Sequence, residues 1–175
     1  MHSHTASPGV GGPHRALLGL RKKPGRLALA LFRLPLSAAH SGHLPGRIFV
    51  TFVHTGRITG QPHEAVAMVL RSDEATREVV ICGAWGPDTD WVRNLRAGPV
   101  TRVRLGHESF VPEHRFLSDE EALDVVRHFR RHHPARLRLA SLALGWGDLR
   151  SNAAARDFVH SHPFIAFRPS SRSDN

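Results

Sequence analysis

The run RIFVTFVHTGRITG, Arg47 to Gly60, decides how the rest of the chain reads. Ile48 to His54 is rich in β-branched and aromatic residues, the composition of a strand on a half-buried surface. It leads straight into a tight cationic turn, Thr55-Gly56-Arg57-Ile58-Thr59-Gly60, in which two glycines bracket an arginine and a threonine hydroxyl. Glycine permits positive φ and close backbone approach, so such a loop can bring N–H groups and a guanidinium up to an anion. The same composition also suits an ordinary hairpin turn. A second stretch further along separates the two readings.

Working outward, a second strand is expected from His63 to Arg71, a charged hairpin loop over Ser72 to Arg77, and a third strand over Glu78 to Gly83. Asp88 to Ala97 reads as a helix with Trp91, Leu95 and Val92 as its apolar stripe. Asp88 or Thr89 is its N-cap and Gly98-Pro99 its stop. Val100 to Leu105 alternates as a half-buried strand and turns at Gly106-His107 into another, Ser109 to Phe116. Ser118-Asp119-Glu120-Glu121 is a capping box opening an amphipathic helix, with Ala122, Val125, Val126 and Phe129 on one face. Pro134 to His160 is expected to be helical around Leu137 to Leu144, and the last strand is Phe164 to Phe167.

About six strands joined mostly by hairpin-length links predict an antiparallel, barrel-like sheet with flanking helices rather than a parallel doubly wound sheet. The domain plan is a tail over 1–14, a basic helical segment over 15–46, a barrel over 47–169 and a second tail over 170–175. Within 15–36, leucines and arginines alternate around Pro24-Gly25. That combination suits either a helix covering the domain or contact with an anionic membrane surface.

With 175 residues and 41% apolar composition the chain is long enough for one core and short for two. The formal charge of +9 attracts anions of many kinds and selects none. Cys82 is the single cysteine, so no internal disulfide forms, and its apolar strand marks an inert buried thiol. No run approaches the ~18 apolar residues of a spanning helix, and a signal peptide is not evident; a cytoplasmic setting is expected.

The second informative stretch is Gly83-Ala84-Trp85-Gly86 followed by Asp90-Trp91-Val92-Arg93-Asn94-Leu95. A strand ends in small residues and a tryptophan, where a flat ring can approach the backbone. Trp91 and Asn94 then fall three apart on one helix face. An aromatic and a carboxamide facing a small-residue loop suit a planar heterocycle with hydrogen-bonding edges. A core aromatic beside a helix-end cap is the plainer reading of the same spacing.

HTGRITGQPHEAV followed by GAWGPDTDWVRNLRAGP resembles the deazaflavin-dependent nitroreductase-like proteins, actinobacterial split β-barrel oxidoreductases related to FMN-binding barrels. The resemblance spans about residues 32–117, and PFIAFRP matches the family's closing strand. It implies a split antiparallel β-barrel and coenzyme F420, a deazaflavin carrying a phosphate and an oligoglutamate tail. It also implies that Arg57, Thr59, Gly60 and His63 hold the phosphate and tail, and that Ala84, Trp85, Gly86, Trp91 and Asn94 border the ring. The implied reaction is hydride transfer to an electron-poor acceptor such as a quinone or nitroaromatic, with no dedicated catalytic acid. Ile58 stands where members usually carry Lys or Arg, Val92 replaces an aromatic, and the chain has no tyrosine, a residue typical of the family's acceptor side. Arg47, Arg93 and Arg96 are candidates to replace the missing basic charge. A homodimer is expected from the same resemblance.

The sequence also admits three other readings. His128 and His132 lie one helical turn apart and His160-Ser161-His162 adds two more, yet no H-E-x-x-H or C-x-x-C accompanies them, so no metal is expected. The arginines between Arg127 and Arg138 offer a phosphate-contacting face, but no nucleic-acid motif goes with them. The same barrel holding FMN or another ring without F420 turnover remains the alternative inside the fold.

Overall fold

The computed structural model describes residues 46–171. The tail over 1–14, nearly all of the basic segment over 15–46, including the membrane-contact stretch 15–36, and the last four residues lie outside the described residues. A short 3-10 turn, Gly46–Ile48, leads into eight strands: β1 (Phe49–Thr55), β2 (Pro62–Met68), β3 (Arg71–Ser72), β4 (Val79–Cys82), β5 (Val100–Leu105), β6 (Glu108–Phe110), β7 (Pro112–Phe116) and β8 (Phe164–Pro169). Among the described residues four helices join them: α1 (Asp90–Ala97), α2 (Asp119–His132), α3 (Pro134–Leu144) and α4 (Asn152–Ser161).

Two four-stranded antiparallel sheets, β2-β1-β5-β6 and β3-β4-β8-β7, form a split barrel with flanking helices. Eight strands stand where about six were expected because two predicted strands each change sheet midway. The stretch from His63 to Arg71 breaks at Val69 and Leu70: Val69 N–H donates to Ile48 O, just ahead of β1, at 2.8 Å, and Leu70 N–H to Val80 O in the second sheet at 2.9 Å. The stretch from Ser109 to Phe116 breaks at Val111, whose carbonyl accepts from Ser170 N–H. Ser170 is thus still tied to the barrel just beyond the predicted domain end.

The alternation expected in β5 is interrupted. Its register with β1 runs Val53↔Arg102 and then His54↔Val100, which leaves Thr101 as the extra residue of a bulge. The bulge shifts the side-chain parity, so Val100, Val103 and Leu105 are all buried while Thr101 and Arg102 are exposed.

Strands β4 and β8 are buried on both faces, which explains their unbroken apolar sequence. Val79, Ile81, Ile165 and Phe167 face the barrel interior with Val50, Phe52 and Val103. Val80, Cys82, Phe164 and Ala166 face Val125, Phe129 and Phe158 of α2 and α4. The predicted capping box forms: Ser118 Oγ accepts from Glu121 N–H, and Glu121 Oε2 accepts from Ser118 N–H.

Candidate functional site

At one end of the first sheet, a cleft of about 1050 Å³ opens between the β1–β2 turn and α1. The inward alternation of β1 builds its floor. Val50 and Phe52 go to the core and His54, next in that series, ends it at the cleft, only 4% exposed. The turn then folds back tightly, Gly56 N–H donating to Gln61 O and Gly60 N–H to Gly56 O, each at 2.8 Å. Gly60 takes a positive φ of 68°. A Cβ at Gly56 would lie 2.8 Å from His63 Nε2 and 2.9 Å from Thr59 Oγ1, so a side chain there would push both groups aside. Both groups therefore close over the glycine and face the cleft.

Asn94, 6% exposed, joins the two halves of the site. Its Oδ1 accepts from Arg57 N–H at 3.2 Å and from Arg57 Nη1 at 2.9 Å. Those donors fix the amide orientation, so Nδ2 donates to His54 Nδ1 at 3.3 Å. His54 Nδ1 accordingly carries no proton, and burial lowers the His54 pKa below its ordinary value. The His63 ring lies 5.8 Å from that of His54 and opposes its protonation further. Arg57 also donates to the Asp90 backbone carbonyl at 3.4 Å and to Asp90 Oδ1 at 3.1 Å. Arg93 pairs with Asp88 at 2.8 Å.

Trp85 and Trp91 form the apolar wall, both half-buried. Trp91 stands edge-on to Phe52, with centroids 5.3 Å apart. Val92 and Leu95 are buried, and Trp91 packs against the same core cluster as Leu95 while also lining the cleft, so the expected stripe of Trp91, Leu95 and Val92 is formed. Thr89 is the N-cap residue, but its hydroxyl donates to Gly86 O at 2.9 Å instead of accepting from an α1 amide.

Of the residues singled out from sequence, Arg57, Ile58, Thr59, His63, Trp85, Trp91 and Asn94 all line this cleft. Gly60, Ala84 and Gly86 do not. Gly60 and Gly86 serve as turn residues with positive φ. Ala84 borders a small pocket behind the tryptophans, and its carbonyl accepts from Trp146 Nε1 at 3.1 Å. Ile58 is 84% exposed on the lip.

Among the arginines considered as replacements for a basic residue at 58, Arg93 alone lines the cleft. Arg47 pairs with Glu74 and Glu108 in a different pocket, and Arg96 lies over the Phe116 ring, 5.3 Å from its centroid. Sequence reasoning missed His54 and Asp90. The first was signalled by the alternation Val50, Phe52, His54. The second had no signal, since its partner Arg57 is 33 residues away. Among the described residues no group of three or more His, Cys, Asp or Glu side chains is arranged to hold a metal.

The site offers an aromatic wall, a buried amide, two imidazoles and two guanidiniums, with the carboxylates of Glu64, Asp88 and Asp90 beside them, in one cleft of cofactor size. That donor set fits a planar heterocycle carrying anionic groups.

None of the curated proteins compared with the chain matches it. Among solved structures it is similar to the F420-H2 dependent reductase FDR-A, with 18% identity over 72% of this chain and 98% of that one, TM-score 0.47. A protein described as a domain-swapped dimer shares 17% identity over 79% and 97% of the two chains, TM-score 0.48. A pyridoxamine 5'-phosphate oxidase-related, FMN binding protein of Nostoc punctiforme PCC 73102 shares 14% over 86% and 83%, TM-score 0.40. The sequence model of the F420H(2)-dependent quinone reductases matches residues 35–140. Because that match takes in more than half of the 175 residues, the chain belongs to the F420H(2)-dependent quinone reductase family, and it is an oxidoreductase whose cofactor is F420.

Proposed function

We propose that the cleft between the β1–β2 turn and α1 is the F420 site, and that the acceptor reduced there is a quinone, a nitroaromatic or a similar electron-poor ring. The observation that carries this reading is the Asn94 bridge, which ties the glycine turn of β1–β2 to the tryptophan face of α1. Both stretches with the family's pattern thereby share one cavity.

In this reading Arg57, Thr59 and His63 would hold the anionic groups, and Trp85 and Trp91 would flank the ring. Gly60, Ala84 and Gly86 would set the shape of the turns behind them. When bound, the reduced coenzyme supplies the hydride. The chain's own contribution is then positioning and exclusion of water: the tryptophans keep one wall apolar, and Asn94 holds Arg57 and His54 in fixed orientation. His54 is neutral in this arrangement and acts as a rigid polar floor. Pairing of two copies and contact of residues 15–36 with an anionic membrane belong to the same reading. Light scattering of the purified protein checks the first. Unchanged liposome binding after deletion of residues 1–36 would discard the second.

The direct test is tryptophan fluorescence on titrating F420, with FMN alongside, in wild type and Trp91→Ala. Saturable quenching by F420 in preference to FMN, weakened by the substitution, is expected. Quenching by FMN alone would assign the cleft to the alternative ring.

A further inference from the structure

Among the described residues the cleft is not lined by an excess of positive charge, although the chain is cationic. With histidines counted as neutral, the charged groups lining it are Arg57 and Arg93 against Glu64, Asp88 and Asp90, two positive charges and three negative ones among the described residues, in a protein of formal charge +9. Both arginines are already paired. Arg93 is held by Asp88 at 2.8 Å. Arg57 spends Nη1 on Asn94 Oδ1 and the Asp90 carbonyl, and Nη2 on Asp90 Oδ1.

The two partners of Arg57 differ in kind. Asn94 is buried, neutral and bound on its other side to His54, so it orients the guanidinium without altering the charge of the site. Asp90 is 86% exposed, and its carboxylate reaches Arg57 from the solvent side of the cleft. An exposed ion pair of this kind is weakly held, because water and salt screen it and its side chain keeps its freedom. It is also chemically the same kind of ligand as a phosphate oxygen or a glutamate carboxylate. The carboxylate holds one of the two N–H groups of Nη2, so an incoming anion either shares that nitrogen with Asp90 or replaces it, and in both cases meets the repulsion of the charge already there.

We infer that Asp90 is an affinity-determining residue of this cleft: an internal anion on Arg57 that competes with, and repels, the anionic part of the coenzyme. The inference rests on the reading of the cleft as the F420 site and adds what controls its affinity. The alternative role for Asp90, steering Arg57 into place for the ligand, predicts the opposite sign.

The experiment is a double-mutant cycle in fluorescence titration with F420, using wild type, Asp90→Asn, Arg57→Met and the double variant, each checked for folding by its thermal midpoint. Asp90→Asn is expected to tighten binding by about two- to fivefold, the range of an exposed ion pair. The gain should shrink at high salt and vanish in the Arg57→Met background. Binding equal to or weaker than wild type in Asp90→Asn overturns the inference while leaving the F420 site intact. A gain that persists without Arg57 overturns it too, since the effect would then be a general field. Failure of folded wild type to bind F420 removes the functional reading itself, and the inference with it.

Discussion

At the scale of single residues, the site turns on Asn94. Its amide links the glycine turn to His54, and it does so from a buried position where water cannot readily replace it. Asn94→Ala leaves the Arg57 N–H and the His54 Nδ1 without their partner, at a cost of about 1–3 kcal/mol. Urea unfolding measures this, and a loss below roughly 0.5 kcal/mol would mean that solvent takes over the amide's role. F420 affinity should fall in the same variant. Ile58 is the opposite case, being 84% exposed on the lip and free to change without disturbing packing. Ile58→Lys adds a cation to a cleft whose arginines are paired. F420 binding should tighten at low salt and return towards wild type at high salt, as titrations at two ionic strengths will record.

At the scale of elements, local sequence signals and long-range partners made different contributions. The capping box of α2 is purely local, and its reciprocal bonds lie within four residues. Ser118→Ala should cost about 1 kcal/mol and lower the thermal midpoint by a few degrees; an unchanged midpoint would show that the helix is held by its packing alone. Helix α4 carried a local signal as well, with Ser151 Oγ accepting from Ala154 N–H ahead of Ala155, Phe158 and Val159, yet the expectation placed helix only around Leu137 to Leu144. The bulge at Thr101 had no local signal. It exists because β1 changes register against β5 at Val53 and His54, next to the turn that opens the cleft.

Over the whole molecule, histidine burial contributes to the response to acid. His54, His128, His133 and His162 all have pKa values lowered below 6.5, with burial the largest cause in each. Below that ordinary value the unfolded chain takes up protons that the folded chain refuses. Stability is therefore full above about pH 6.5 and is lost as the pH falls through the lowered folded values. Urea midpoints at three pH values from neutral to mildly acidic will show the decline, and His54→Gln should flatten part of it. Midpoints that rise on acidification would contradict these directions.

The sequence by itself determined the antiparallel barrel-like class, the core strands, the capping box and the two stretches that meet at the cleft. Each of these is written in short-range patterns: alternation of period two, helical spacing, glycine-bearing turns. Only the tertiary structure decided where the chain changes sheet at Val69 and Val111, which face of β5 is buried, and which acid answers which arginine. Those outcomes depend on pairing between residues tens of positions apart. Asp90 meets Arg57, Asn94 meets His54 and Arg47 leaves for Glu74 and Glu108, because the closure of two sheets fixes which distant side chains share a space.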